Sequence, residues 1–301
     1  MSVGCTNVPA VAARHYIGGV VGTPEDAVVK DCTNKGKITG DFTDETKAAA
    51  KQVWVGGVIG GRNGDVKTVD GALVEGCKNY GECILIAENA DSNNYLGGIS
   101  GQCTVEATGT SYTADKSTIQ KLVNCTNYGK LVKKGGGGCR LGGIHGGAAT
   151  MENCINEGDI LVEGISSAKG AVGGLVGYPT QAYHTAKDCK NIGNLTATCE
   201  VVFPMGGLFG DAGNSNQSYE GCSVNCTITA PASVRVGIIT GDTYRLNSAS
   251  RSIVYGTSEA PFKVKGTVNG TTLTEENFSS YLLGRGPVAG TVDTTNVQFG
   301  E

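Results

Sequence analysis

Short runs in which inward and outward positions alternate with period two recur along most of the chain, with no helical spacing of apolar residues between them. In Cys189-Lys-Asn-Ile-Gly-Asn-Leu195, the residues at offsets 0, 2, 4 and 6 lie on one side of a strand. That side carries Cys, Asn, Gly and an aliphatic residue. The other side carries Lys190, Ile192 and Asn194 here, and Thr33, Lys35, Lys37 or Lys78, Tyr80, Glu82 in earlier copies. The mixed polar set faces water, so the cysteine face points inward. Copies of this block, [Asp/Asn/Gly]-Cys-x-Asn-x-Gly-x-[Ile/Leu], begin at Asp31, Gly76, Asn124, Asn153 and Asp188, with Cys83 in the last place of the second. Degenerate copies stand at Cys5 and Cys222. An Asp, Asn or Gly before each Cys marks a left-handed or side-chain-bonded corner at which the strand starts.

Between these blocks lies another, apolar-Gly-Gly-apolar-x-Gly, at residues 17–22, 55–60, 96–101, 141–146, 172–177 and 205–210, with a worn copy at 236–241. Glycine block and cysteine block alternate strictly. Cysteine-to-cysteine spacing runs from 27 to 48 residues. Propeller blades need near-constant length, whereas a solenoid ejects extra residues as loops from one corner. The pattern therefore predicts an all-β fold, a right-handed parallel β-solenoid (β-helix) of about six to seven coils, handedness following the general rule for parallel crossovers. Stacking in register should superpose Cys32, Cys77, Cys125, Cys154 and Cys189, extended by the degenerate copies, and Asn34, Asn79, Asn127, Asn156 and Asn191, the amides bonding along the axis.

Residues 1–241 form the expected solenoid domain. Residues 242–301 read differently: Phe262, Val264 and Val268 alternate with polar residues, Asn269-Gly270 signals a hairpin, and Thr274-Glu-Glu starts a short helix through Leu283 that Gly284 ends. This segment is expected to be a C-terminal cap over an open solenoid end. The chain opens inside a half-repeat at Cys5, so upstream sequence, including an export signal, is expected to lie outside it.

Composition narrows the function classes. Forty-eight glycines, 17% charged residues and a net charge of −4 fit a turn-rich β protein rather than a disordered chain. With no basic stripe, nucleic acid is not expected as a partner, and no apolar run is long enough to predict membrane insertion. The 12 cysteines lack Cys-x-x-Cys pairs, so neither metal nor cofactor is expected, and in-register neighbours sit too far apart to bridge. The cysteine row is then a set of small buried side chains rather than a redox or metal wire. His15, His145 and His184 are isolated in sequence, and His145 stands where other glycine blocks hold Val21, Ile59, Ser100, Val176, Phe209 and Thr240. No paired carboxylates recur at one outward offset, so no catalytic residue is assigned and an enzyme is not expected.

The glycine block, best seen in Gly173-Gly-Leu-Val-Gly177 and Gly206-Gly-Leu-Phe-Gly210, resembles the GLUG motif of bacterial surface proteins, and Asn153-Cys-Ile-Asn-Glu-Gly-Asp-Ile160 is similar to its partner strand. The resemblance covers roughly residues 4–241. It implies an extracellular β-solenoid with an adhesin-like role, a protein or glycan ligand at the cell surface, and no established chemistry. Some larger proteins with this motif are immunoglobulin-cleaving metallopeptidases whose zinc sits on His-Glu-x-x-His, which this chain lacks. A non-enzymatic surface scaffold is thus the expected function, with a carbohydrate-binding module or a β-helical polysaccharide lyase or glycoside hydrolase as alternatives. Tyr80 and Tyr128 share one outward offset in consecutive coils and are the candidate ligand-binding residues, walled by the insertions at 61–76 and 102–124.

Overall fold

The computed structural model describes residues 14–24, 27–43, 52–62, 73–89, 93–103, 120–147, 149–179, 184–212 and 216–300. The cysteine block at Cys5 and the central parts of both long insertions lie outside them.

Parallel ladders dominate the architecture. The glycine blocks contribute a seven-stranded sheet, Arg14–Gly18, Gln52–Gly56, Asn94–Gly97, Cys139–Gly142, Gly170–Gly173, Pro204–Gly206 and Arg235–Gly237, in that order. Strand order equals chain order, and each neighbour is one repeat away, which is the topology of a parallel β-solenoid. A second sheet of eight strands runs from Val29–Lys30 to Thr291–Asp293. The cysteine blocks build a third sheet of 14 strands, and short strands follow the glycine corner.

Local chemistry explains the corners. Asp31, Asn124, Asn153 and Asp188 hold φ between 51° and 54°, and Gly76 and Gly221 hold 63° and 60°, all immediately before a cysteine. These are the residue types that enter the left-handed region most readily. The next corner belongs to Asn-x-Gly: Asn79 Oδ1 accepts from the Gly81 amide at 3.1 Å and its Nδ2 donates to the Gly81 carbonyl at 3.0 Å, closing a local loop within one coil.

The same amides then stack. Asn34, Asn79, Asn127 and Asn156 each donate Nδ2 to Oδ1 of the asparagine in the next coil, reaching Asn191, every bond at 2.8 Å. Asn79 and Asn127 thereby use both donors and accept twice on Oδ1, so their burial leaves no polar atom unpaired. Alongside runs the cysteine row, in which the thiols of Cys77, Cys125, Cys154 and Cys222 are buried and donate to backbone carbonyls at 3.4–3.6 Å.

The ladders run on beyond Gly241. Ser252–Tyr255 pairs with Gln217–Glu220, and Phe262–Val268 pairs with Ser223–Thr229, completing a seventh coil. Thr291–Asp293 and Val297–Phe299 then add a partial eighth. Parallel pairing is a backbone property, so alternating Ile253, Tyr255, Phe262 and Val264 fill the core without the Cys and Asn signature. The hairpin is present, Thr267 opposite Thr272 and Val268 opposite Thr271. The helix is not the run expected from Thr274 to Leu283: only a four-residue 3-10 turn, Phe278–Tyr281, forms. Asn277 takes the Thr274 amide on its side chain, and Leu283 must return to bridge Thr240, which leaves no length for a longer helix.

The amide ladder yields a stability prediction. Replacing Asn156 by Ala strands the Asn127 donor and the Asn191 acceptor in the core and should cost about 2–5 kcal/mol. Urea unfolding measures it; a midpoint within error of the parent refutes the ladder as a stabilising element.

Candidate functional site

The outward side of the cysteine-block sheet is the surface singled out by the sequence. Backbone bonds from Tyr80 N to Asn34 O, Tyr128 N to Asn79 O, Glu157 N to Asn127 O and Ile192 N to Asn156 O fix one row, Lys35, Tyr80, Tyr128, Glu157 and Ile192. Tyr80 and Tyr128 stack with ring centroids 4.6 Å apart and planes 7° from parallel. They remain 47% and 37% exposed, beside Ile192 at 45%. Each ring covers one face of the other, and both keep part of their surface in solvent. The asparagines beneath both rings are hydrogen-bonded to one another, so the pair sits on a backbone that cannot slip in register. An amphipathic, flat aromatic edge on a rigid strand suits contact with a sugar ring or an apolar side chain. The insertions expected to wall it fall largely outside the described residues.

Inside the coil lies a polar group whose partners were not legible. His145 occupies the column expected for it, bridging Ser100 on one side and Val176 on the other. Its Nδ1 accepts the Gly147 amide at 3.1 Å, so Nε2 bears the proton and donates to Gln120 Oε1 at 3.0 Å. Ala149 lies in register between Gln120 and His184. His184 is buried with its ring 5.6 Å from both Phe209 and Tyr219, and neither nitrogen has a hydrogen-bond partner among the described residues. Burial lowers His145 to about 4, and burial together with the charge of His145 lowers His184 to about 3. Both are neutral core side chains at neutral pH, and among the described residues no carboxylate hydrogen-bonds to either.

Among the described residues, no group of three His, Cys, Asp or Glu side chains converges as a metal site. The thiols are poorly suited to nucleophilic or ligand chemistry: burial pushes Cys83 and Cys226 up to about 12 and Cys189 well above its ordinary value.

A second column, on the outer side of the glycine-block strands but with Trp54 and Tyr95 buried, went unread. Tyr16, Trp54, Tyr95 and Arg140 each stand one residue before the apolar-Gly-Gly triplet and superpose across four coils. Tyr16 and Trp54 meet edge to face at 5.1 Å, and Trp54 and Tyr95 at 5.8 Å. The signal was available as a constant offset from the glycine block, but its residue types vary too much to announce it.

The family model described as the GLUG motif matches residues 13–39, which take in one glycine block and the cysteine block after it. That unit carries a GLUG motif, and the later coils reiterate the same alternation of glycine block and cysteine block. No curated protein and no solved structure matches it. No helix among the described residues is long and apolar enough to cross a membrane.

Two outcomes follow from the buried groups. A histidine held below its ordinary value of 6.5 binds fewer protons folded than unfolded, so stability is complete above that value and falls as the pH drops toward the folded one. Between pH 7.5 and pH 5, His145 and His184 should each remove about 2 kcal/mol, and a His184→Phe variant should lose its half of that slope in urea titrations. A parallel slope in the variant would contradict the assignment. In native-state maleimide labelling read by mass spectrometry, Cys32 and Cys199, which are partly exposed, should label ahead of the buried Cys77, Cys125, Cys154 and Cys189.

Proposed function

We propose that this repeat protein is a non-enzymatic, adhesin-like scaffold at a bacterial cell surface, which meets a host or matrix ligand with the outer side of its cysteine-block sheet. The observation that carries the reading is the stacked, exposed Tyr80–Tyr128 pair held in register by the amide ladder. Exposed aromatics on a rigid surface are the residue type that anchors interfaces, because they bury much area with little loss of side-chain freedom. The neighbouring Lys35, Glu157 and Ile192 give the row a mixed polar and apolar border, as interface rims have.

A carbohydrate-binding module is the second reading, favoured by the same observation, since the exposed parts of two parallel tyrosines can receive the apolar face of a sugar. The two differ in ligand and not in place. Extracellular localisation belongs with either, because both ligands are outside the cell.

The test is the whole chain and its Tyr80→Ala, Tyr128→Ala double variant, applied to immobilised matrix proteins and to a glycan array. The parent should bind a member of one set, and the variant should lose at least about tenfold in affinity while its stability falls by only about 1 kcal/mol, the worth of one aromatic pair. Undiminished binding by the variant would remove the strip as the site, and reducing-sugar release from a polysaccharide panel by the parent would replace the scaffold with an enzyme.

A further inference from the structure

The column that ends at Arg140 continues across the glycine corner into a cationic strip. Gly146 and Gly177 lie directly on the strand that carries Arg140: a Cβ on Gly146 would stand 2.9 Å from the Arg140 carbonyl oxygen and 3.0 Å from Tyr95 Cβ. Residues just before and just after the corner therefore share one surface. After the corner, Tyr178, Asp211, Asp242 and Arg285 succeed one another along the axis.

Rings and guanidiniums interleave there. Arg140 donates through Nη1 to the Tyr95 hydroxyl, stands 5.4 Å from that ring, and lies over Tyr178 at 4.1 Å. Arg245 approaches Tyr178 at 5.3 Å and bonds Asp211 through Nε at 3.0 Å. Arg285 lies 4.0 Å over Tyr244 and grips Asp242 through Nε at 3.0 Å and Nη2 at 2.5 Å, while Arg235 pairs with the same carboxylate. Burial pushes the Tyr178 phenol up to about 12, so it adds no negative charge.

Charge decides what such a strip can take. Four guanidiniums face two carboxylates, both carboxylates are buried, and both are already engaged. Arg140 is half-buried and meets only two tyrosines; no carboxylate pairs with it among the described residues. A partly desolvated cation without a counter-charge is costly, and a guanidinium stacked on rings keeps in-plane N–H donors for a planar anion. The chain as a whole carries −4, so this positive strip opposes the background charge.

We propose that this strip is a binding site for an anionic polysaccharide, laid along the solenoid axis with an acidic group in the plane of the Arg140 guanidinium, whose tyrosine partners Tyr95 and Tyr178 are themselves buried, and a sugar face against the exposed ring of Tyr244. A polymer fits better than a small anion because cationic groups recur over several coils, and the coil repeat of about 4.8 Å is close to the length of one pyranose unit. The site is separate from the Tyr80–Tyr128 row and does not depend on it.

Biolayer interferometry with the whole chain tests this against polygalacturonate, dextran sulfate and neutral dextran at low and physiological salt. The chain should bind one or both polyanions and not dextran, and salt should weaken binding severalfold. Preference between the two polyanions assigns carboxylate or sulfate as the acidic group. Arg140→Gln, with its melting temperature checked, should reduce affinity about tenfold, the loss of one charge-assisted pair. Arg140→Lys keeps the charge and the stem, so it serves if the glutamine variant fails to fold; without the in-plane fork its affinity should still drop severalfold. Tyr80→Ala, Tyr128→Ala should leave polyanion binding unchanged, which separates this site from the earlier one. Failure of the parent to bind either polyanion, equal binding to dextran, full affinity in the Arg140 variants, or displacement by inorganic sulfate at the polymer's own sulfate concentration would each overturn the proposal.

Discussion

The contact on which the rest of this molecule depends is that between the second glycine of each Gly-Gly pair and the asparagine amide of the same coil. A Cβ at Gly57, Gly98, Gly143 or Gly174 would stand 2.3–2.4 Å from the amide carbon of Asn79, Asn127, Asn156 or Asn191. The same Cβ would lie 2.0–2.1 Å from the carbonyl oxygen of the equivalent glycine in the next coil. Only glycine permits both approaches. The coil is therefore thin enough at this point for backbone to rest on amide, and the two halves of the repeat, far apart in sequence, are a single packing unit. Thinness in turn brings the amides into hydrogen-bonding range along the axis, and that chain of bonds locks register for every other column.

Where the contact lapses, the core changes character. In the sixth coil Val224 replaces the asparagine, the gap opposite Gly207 widens to 3.0 Å, and Cys226 replaces the corner glycine. With no Asn-x-Gly loop to break it, the strand runs unbroken from Ser223 to Thr229, and Phe262–Val268 follows the same course in the seventh. Aromatic rings take over the interior: Phe209 stacks on Tyr219 at 4.1 Å, Tyr219 on Tyr255 at 5.4 Å, and Phe262 meets Tyr255 edge to face. The solenoid thus has a core of satisfied amides and thiols toward its N-terminal coils and a larger aromatic one toward its C-terminal coils, joined by ladders of the same backbone pairing. His184, flanked by Phe209 and Tyr219 but one coil from His145, sits at the junction of the two.

What could be read from the chain was whatever a single residue type enforces. Glycine, asparagine and a left-handed corner residue are each required by backbone geometry, so their recurrence carried the architecture, the strand faces and the superposition of Tyr80 on Tyr128. Continuation past Gly241 was hidden because Ile253, Tyr255 and Val264 satisfy the same ladder with no fixed residue. The Gln120 partner of His145 was hidden for another reason: the two are 25 residues apart and meet only through the stacking of coils, and no spacing along the chain announces it. The column of Tyr16, Trp54, Tyr95 and Arg140 becomes visible only once register is known, since its residue types differ from coil to coil and carry no common signature.

That freedom bears on function. The interior fixes few positions per coil and leaves the outward ones unconstrained, so recognition can change without touching stability. Whatever side chains occupy an outward column are nevertheless presented at the coil repeat, about 4.8 Å apart and in line with the axis. A ligand with its own linear repeat, such as a polysaccharide or an extended peptide, can match that presentation over several coils, with individually weak contacts adding along its length. A compact ligand engages one or two coils and gains nothing from the rest. For the binding role proposed above, the rigidity that originates in the glycine–asparagine contact therefore favours extended partners, because only they use the order that the contact creates.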